Sequence, residues 1–183
     1  MEKLKSNLPI VLDTIHQWDV VMFLWMMKRK HLALWTKLCR ALSRTADGFG
    51  YPVLALALWY WGGDKGAAFA TTLTLAFALE RPLYLVLKNG LKRDRPADAL
   101  PNFSSFIIPS DKFSFPSGHT SGAFATATAL TLFFPEVALL CYIWASLVGI
   151  SRVTLGVHFP TDTLAGATIG IASTTFAAFW IAQ

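Results

Sequence analysis

Charge is scarce in this chain. Asp, Glu, Lys and Arg make up 15% of its 183 residues and apolar residues 54%, against roughly 25% and 45–50% in a soluble domain. The shortage leaves long apolar runs whose natural solvent is lipid. Acidic groups are scarcest, with 11 Asp and Glu against 16 Lys and Arg and a net charge of +5. No basic stripe or RNA-binding motif accompanies that excess, which argues against a nucleic-acid partner. Only two cysteines occur, Cys39 and Cys141, without metal-type spacing, so neither a disulfide nor a redox compartment follows. The start, Met1 to Asp13, has Lys3 and Lys5 but a brief apolar stretch broken by Pro9. It lacks a signal-peptide core and cleavage site and is expected to be retained. No internal repeat or low-complexity tract is present, and the length suits one domain, 1–183.

The apolar runs set the architecture. A bilayer span needs about 20 mainly apolar helical residues. Residues 66–87, broken only by Glu80 and Arg81, 119–134, 136–151 and 161–181 meet that need well or tolerably. A fifth run, 49–62, is shorter and carries Trp59, Tyr60 and Trp61 as interfacial anchors. In residues 1–48, Val20 to Met27 is apolar, but Asp13, His16 and Asp19 precede it and Lys28-Arg29-Lys30 follows. Helices over 10–28 and 31–45 are expected along the membrane surface; the rival is that the first one spans. The fold predicted is therefore all-α, a polytopic membrane helical bundle of five or six spans with N-terminal interfacial helices. Gly166 and Gly170, with Gly122, Ala123 and Ala127, predict close helix packing.

Three short strings carry the chemistry within 88–162. They are Lys88 with Arg95-Pro96, then Pro116-Ser117-Gly118-His119, then Ser151-Arg152 with His158 and Asp162. The first lies at and beyond the end of the 66–87 run, and the second opens the next run. Two further runs return the chain to the same side for the third, so the hydropathy pattern puts all three on one face. Lys88, Arg95 and Arg152 supply fixed cations of the kind that hold phosphate oxygens. Gly118 lets a backbone approach an anion at a helix start, Ser117 adds a hydroxyl, and Pro116 suits an early helical position. His158 and Asp162 are four apart, one face of a helix if the helix reaches 158; Pro160 instead points to pairing across the turn before it. A carboxylate at one ring nitrogen leaves the other free to attack phosphorus.

The order and spacing of these strings resemble the signature of the type 2 phosphatidic acid phosphatase superfamily, which also includes vanadium haloperoxidases. The resemblance implies that His158 is a nucleophile forming a phosphohistidine, that Asp162 orients it, and that His119 is the general acid. Lys88, Arg95, Ser117, Gly118 and Arg152 would hold the phosphate, and water would release it. No metal and no cofactor is implied, because the site is rich in cations and the spacing of Asp94, Asp98 and Asp111 is not that of a metal loop. Chelator-resistant activity is expected.

Other residues have two readings. Glu80, Tyr84 and Lys88 fall at steps of four, so Glu80 either supports the site lysine from below or forms a packing pair with Arg81 near Pro82. Lys92, Arg93 and Lys112 are read as cations snorkelling to headgroups. Phe103, Phe106, Ile107, Ile108, Phe113 and Phe115 either meet lipid or pack back on the bundle. The function expected is a lipid phosphatase acting on undecaprenyl pyrophosphate, phosphatidylglycerol phosphate, phosphatidic acid or lipid A. The alternatives are a lipid phosphotransferase, or a non-catalytic lipid-phosphate binder or transporter. The partners expected are the lipid substrate and the bilayer, with protein partners unspecified. The resemblance to bacterial enzymes implies a plasma-membrane protein with an outward-facing site.

Overall fold

In the computed structural model, residues 2–28 and 32–183 are described, with side chains for 13–28 and 34–183. Arg29, Lys30 and His31, the last being the expected start of the second helix, lie outside the described residues. Among the described residues the secondary structure is helical throughout. The helices are α1 (Glu2–Met27), α2 (Leu32–Arg44), α3 (Gly50–Trp61), α4 (Gly63–Leu91), α5 (Pro96–Ala99), α6 (Gly118–Phe133), α7 (Ala138–Thr154) and α8 (Pro160–Ile181). A 3₁₀ turn, Pro135–Val137, joins α6 to α7. These bounds lie within a few residues of the runs read from the sequence, except that α1 starts at Glu2 rather than near residue 10.

Apolar length separates the helices into two groups. Among the described residues three segments are long and apolar enough to cross a membrane: Gly63–Ala99, Pro135–Thr154 and Pro160–Ile181. At 16 residues α6 is about 24 Å long, short against a hydrocarbon core of about 30 Å. It is the axis of the bundle, packed against α4, α7 and α8, with Ala123, Ala125, Ala127 and Ala129 fully buried. Leu139, Leu147 and Ile150 of α7 and Leu164, Ile171 and Phe176 of α8 are exposed on the outer surface. Small residues inside and large apolar ones outside is the arrangement a bilayer demands, because burial from lipid rewards fit rather than hydrophobicity. The chain is an integral membrane protein.

The fit between α6 and α8 leaves no room for a side chain at two glycines. A methyl group added at Gly166 would lie 2.5 Å from the Ser117 carbonyl oxygen, and one at Gly170 2.3 Å from that of Ser121. Only hydrogen at these Cα atoms permits the approach, and it brings the start of α6 against the start of α8. The Ser117 amide donates to the Asp162 carbonyl at 3.0 Å, locking the two helix starts together.

Chain direction then gathers the three motifs. α4 runs up to Lys88, α6 starts at Gly118, α7 ends at Thr154 and α8 starts at Pro160, all at one end. The opposite end holds exposed Trp59, Tyr60, Trp61 and Trp180, suited to an interface. The second half of α1 packs on the motif end: Phe23 meets the Phe103 and Phe159 rings at 5.0 and 5.6 Å. Residues 100–117 mostly fold back on the bundle. Phe103 packs beside Phe23, Phe106 and Ile107 against Cys39, Leu155 and Val157, while Ile108 is 96% exposed.

Gly170→Ala should lower the stability of the detergent-purified protein by about 1–3 kcal/mol, the usual range for overpacking. Gly90→Ala, where an added methyl meets nothing within 4 Å, should leave it unchanged or slightly raised. Thermal unfolding followed by intrinsic fluorescence checks the contrast; equal midpoints would remove the close-approach argument.

Candidate active site

Lys88 sits in the last turn of α4, which ends as Lys92 turns left-handed at φ 46°. Its buried ammonium donates to both oxygens of Asp111 at 2.9 Å. Arg95, extended and immediately before α5, is also buried. Its Nη2 donates to Asp111 Oδ1 at 2.5 Å, its Nε to the Asp111 carbonyl at 3.1 Å, and its Nη1 to the Val157 carbonyl. Tyr84, one turn before Lys88, donates its hydroxyl to Asp111 Oδ2 at 2.8 Å. Asp111 therefore occupies the point where two cations and a phenol converge. Partial burial alone would raise its carboxyl, but hydrogen bonds from Lys88, Tyr84 and Arg95 outweigh that and hold it at about 2.

The second motif opens α6. Ser117 is the N-cap residue and Gly118 the first helical one, so His119 lies in the first turn with its amide near the helix start. Pro116 precedes the N-cap, joined to Phe115 by a cis peptide bond, and is not the early helical residue expected from the sequence. A methyl on Gly118 would meet the Tyr84 ring at 3.0 Å, so the bare backbone here is what lets α4 and α6 converge on the site. His119 Nε2 lies 3.1 Å from Asp47 Oδ1, in the segment between α2 and α3.

Arg152 lies near the end of α7 and donates Nη1 to the Ser43 hydroxyl of α2 at 2.6 Å. Its buried Nε has no hydrogen-bond partner among the described residues. His158 follows in the tight connection before α8, 2% exposed. Asp162 sits in the first turn of α8, where one oxygen, Oδ2, accepts the Phe159 amide at 2.7 Å. The same oxygen is 3.6 Å from His158 Nδ1, too long for a hydrogen bond, and Nδ1 has no other partner. The pairing crosses the turn before α8 rather than a helix face, because Pro160 starts the helix. Burial pushes the His158 imidazole down to about 4, against the pull of Asp162 and with Arg95 and Arg152 adding to the depression.

Lys88, Arg95, Gly118, His119, Arg152 and His158 line one cavity of about 480 Å³. Ser117 lies beneath it, fully buried, and its hydroxyl accepts from Thr120 at 3.0 Å. Glu80 is elsewhere. Fully buried, it accepts from the Ser121 hydroxyl at 2.6 Å and pairs with Arg81, so it braces α4 against α6 and does not reach Lys88. Arg93 is not a snorkelling cation. It binds Asp162 Oδ1 and Asp19 Oδ2, each at 2.7 Å. Sequence reasoning missed Asp19, Ser43, Asp47 and Asp111 as neighbours of the site. The one available signal was the step of four that aligns Tyr84 with Lys88; Asp19 and Asp47 are joined to the site only by folding.

The geometry can be compared with known proteins. The chain matches the PAP2 superfamily over residues 65–183. It is 33% identical over 132 residues to the bacitracin transport permease protein BcrC of Bacillus licheniformis, covering 70% of this chain and 64% of that protein. It is 37% identical over 108 residues to phosphatidylglycerophosphatase B of Bacillus subtilis, covering 53% and 50%. The matched segments thus span half to under two thirds of those relatives. The crystal structure of Aquifex aeolicus LpxE superimposes with a TM-score of 0.77 at 29% identity, covering 86% of this chain and 93% of that one. The bundle, the three motifs at its one end and these matches make the chain a member of the PAP2 superfamily.

Proposed function

We propose that this protein is a metal-independent lipid phosphatase working through a phosphohistidine at His158. The observation that carries the reading is the shape of the cavity around that histidine. It runs from His158 and Arg152 past Tyr84 and Arg81 to Phe77, Leu73 and Ala55. There it adjoins a surface groove between α3 and α4 that includes Leu56, Trp59 and Leu75, the two sharing Pro52, Ala55 and Thr74. A polar, cationic end that grades into an apolar cleft facing the bilayer suits a phosphate headgroup with a long hydrocarbon tail.

In this mechanism Lys88, Arg95, Arg152 and the α6 start hold the phosphoryl oxygens, where charge accumulates in the transition state. The unpartnered Arg152 Nε is one donor free for this purpose. His158 carries its proton on Nδ1, toward Asp162, and attacks phosphorus through Nε2. As the N–P bond forms, the P–O ester bond breaks and His119 gives its proton to the leaving oxygen. Water then attacks the phosphohistidine, loses a proton to His119, and releases phosphate and free His158. Burial and the Arg152 charge lower the His119 imidazole below its ordinary value, and Asp47 beside Nε2 opposes them, favouring the protonated form needed for the first step.

Phosphate must displace Asp111 from Lys88 and Arg95. Undecaprenyl pyrophosphate, phosphatidylglycerol phosphate, phosphatidic acid and lipid A are the substrates proposed. The relative named phosphatidylglycerophosphatase B supports the phospholipid members. The proposed location is a bacterial plasma membrane with the site facing outward.

The test is phosphate release by the purified protein in detergent with chelator, across diacyl and isoprenyl phosphates and pyrophosphates. Turnover should persist in chelator and vanish in His158→Ala. Because burial keeps His158 neutral, the acid limb of kcat/KM should fall as pH drops toward about 4, not near the ordinary imidazole value. Loss of activity on chelation, or a His158→Ala variant with wild-type turnover, contradicts the reading. Asp111→Asn removes a carboxylate that competes with phosphate for Lys88 and Arg95. Inhibition by inorganic phosphate should tighten about fivefold or more, a shift of about 1 kcal/mol; an unchanged or weaker inhibition constant would place Asp111 outside the phosphate position.

A further inference from the structure

Four side chains outside the phosphate-binding set form a continuous buried network behind the histidine. Asp162 divides its two oxygens: Oδ2 takes the Phe159 amide and faces His158, while Oδ1 accepts from Arg93 Nη1 at 2.7 Å. Arg93 Nη2 reaches Asp19 Oδ2 at 2.7 Å and lies 3.3 Å from His16 Nδ1. Thr161 closes the ring. Its amide donates to Asp19 Oδ1 at 2.9 Å, its hydroxyl donates to Asp19 Oδ2, and that hydroxyl accepts from Arg93 Nη1 at 2.8 Å. The Arg93 guanidinium also stacks over the Phe159 ring at 4.5 Å. The side chains of Asp19 and Asp162 are 1% and 0% exposed, and that of Arg93 20%.

We propose that Asp19, on α1, is a positioning residue for catalysis, acting through Arg93 to hold Asp162 so that Oδ2 remains aimed at His158. The proposal rests on the reading of His158 as nucleophile and Asp162 as its orienting carboxylate. An arginine facing a single carboxylate tends to take both oxygens in a fork. In that geometry Arg93 would draw Oδ2 away from Nδ1 and spend the carboxylate's charge on itself. Asp19 prevents this by claiming the second arm of the guanidinium. Arg93 is left with one contact on Asp162, and Oδ2 is left to the imidazole. Thr161 fixes the third corner, tying the network to the first turn of α8, from which Asp162 projects.

The same contacts would also dock α1 on the bundle, so the test must separate placement from stability. None of Asp19, Arg93 and Thr161 lines the cavity that holds the phosphate-binding groups. A placement role therefore lowers kcat and leaves KM near its wild-type value. The variants Asp19→Asn, Arg93→Met, Arg93→Lys and Asp162→Asn, and the double variant of Asp19→Asn with Asp162→Asn, are purified in detergent. Their kcat and KM are measured on the lipid phosphate that the wild type turns over fastest. Asp13→Asn, exposed on the same helix, is the control.

Asp19→Asn and Arg93→Met should each lower kcat about 10- to 100-fold, the range typical of partners that orient a functional histidine. KM should stay within about twofold. Arg93→Lys, which keeps the charge but not the fork, should recover part of the loss. The double variant should be no slower than Asp162→Asn alone, because the two residues act on one step. A kcat for Asp19→Asn within about twofold of wild type, or losses that multiply in the double variant, overturns the proposal. If Asp19→Asn does not fold, Arg93→Lys decides: a wild-type kcat there overturns it too. A dead His158→Ala beside an unaffected Asp19→Asn removes the brace alone, whereas an active His158→Ala removes the site reading on which it stands.

Discussion

The carboxylate of Asp162 is the point on which the motif end of this protein depends. It is fully buried, and a buried charge without partners costs several kcal/mol. Its hydrogen bonds come from the Phe159 amide at the start of its own helix and from Arg93 beyond α4, while Oδ2 faces the imidazole of His158. Satisfying one charge therefore fixes the relative placement of α4, the α7–α8 connection and α8. The backbone of the same residue accepts from Ser117, which adds α6 to that set. The glycines at 166 and 170 make the last contact sterically feasible.

The remaining ionised groups at this end follow the same economy. Lys88 and Arg95 share Asp111, Arg93 is shared by Asp19 and Asp162, and Arg81 is matched to Glu80. Arg152 differs, since its recorded hydrogen bond is to the neutral Ser43 hydroxyl. A low-dielectric bundle holds most such cations where anions accompany them. The carboxylate of Asp111 is the one such partner on a non-helical segment, and it is partly exposed. In the proposed mechanism it is thus the anion whose removal would cost the least rearrangement of the helices on phosphate binding.

Much of this was legible in the residues, for reasons that differ by feature. The spans of α4, α7 and α8 were readable because lipid imposes a continuous apolar length, and their bounds in the structure lie close to the runs. The meeting of the three motifs was readable from chain direction alone, given alternating crossings. The helix start at Pro160 was also readable, since proline lacks the amide an interior position requires. Partner choice was not. Arg93 looks like any basic residue flanking a span, and only the docking of α1 reveals Asp19 beside it. Glu80 shares a helical step with Lys88, yet the adjacent Arg81 and the facing Ser121 capture it, because the nearer partners satisfy a buried carboxylate at less cost. Asp111 and Asp47 sit in loops, where spacing carries no geometric information.

In the proposed mechanism the phosphoryl group passes through His158 before it reaches water. The most direct test is the stereochemical course at phosphorus, followed with a lipid phosphorothioate made chiral by two oxygen isotopes and hydrolysed in water carrying the third, so that the thiophosphate released is itself chiral. Two successive in-line displacements, to His158 and then to water, predict net retention of configuration. Net inversion would mean that water attacks the substrate directly, and it would leave His158 as a base or a phosphate ligand and not the nucleophile.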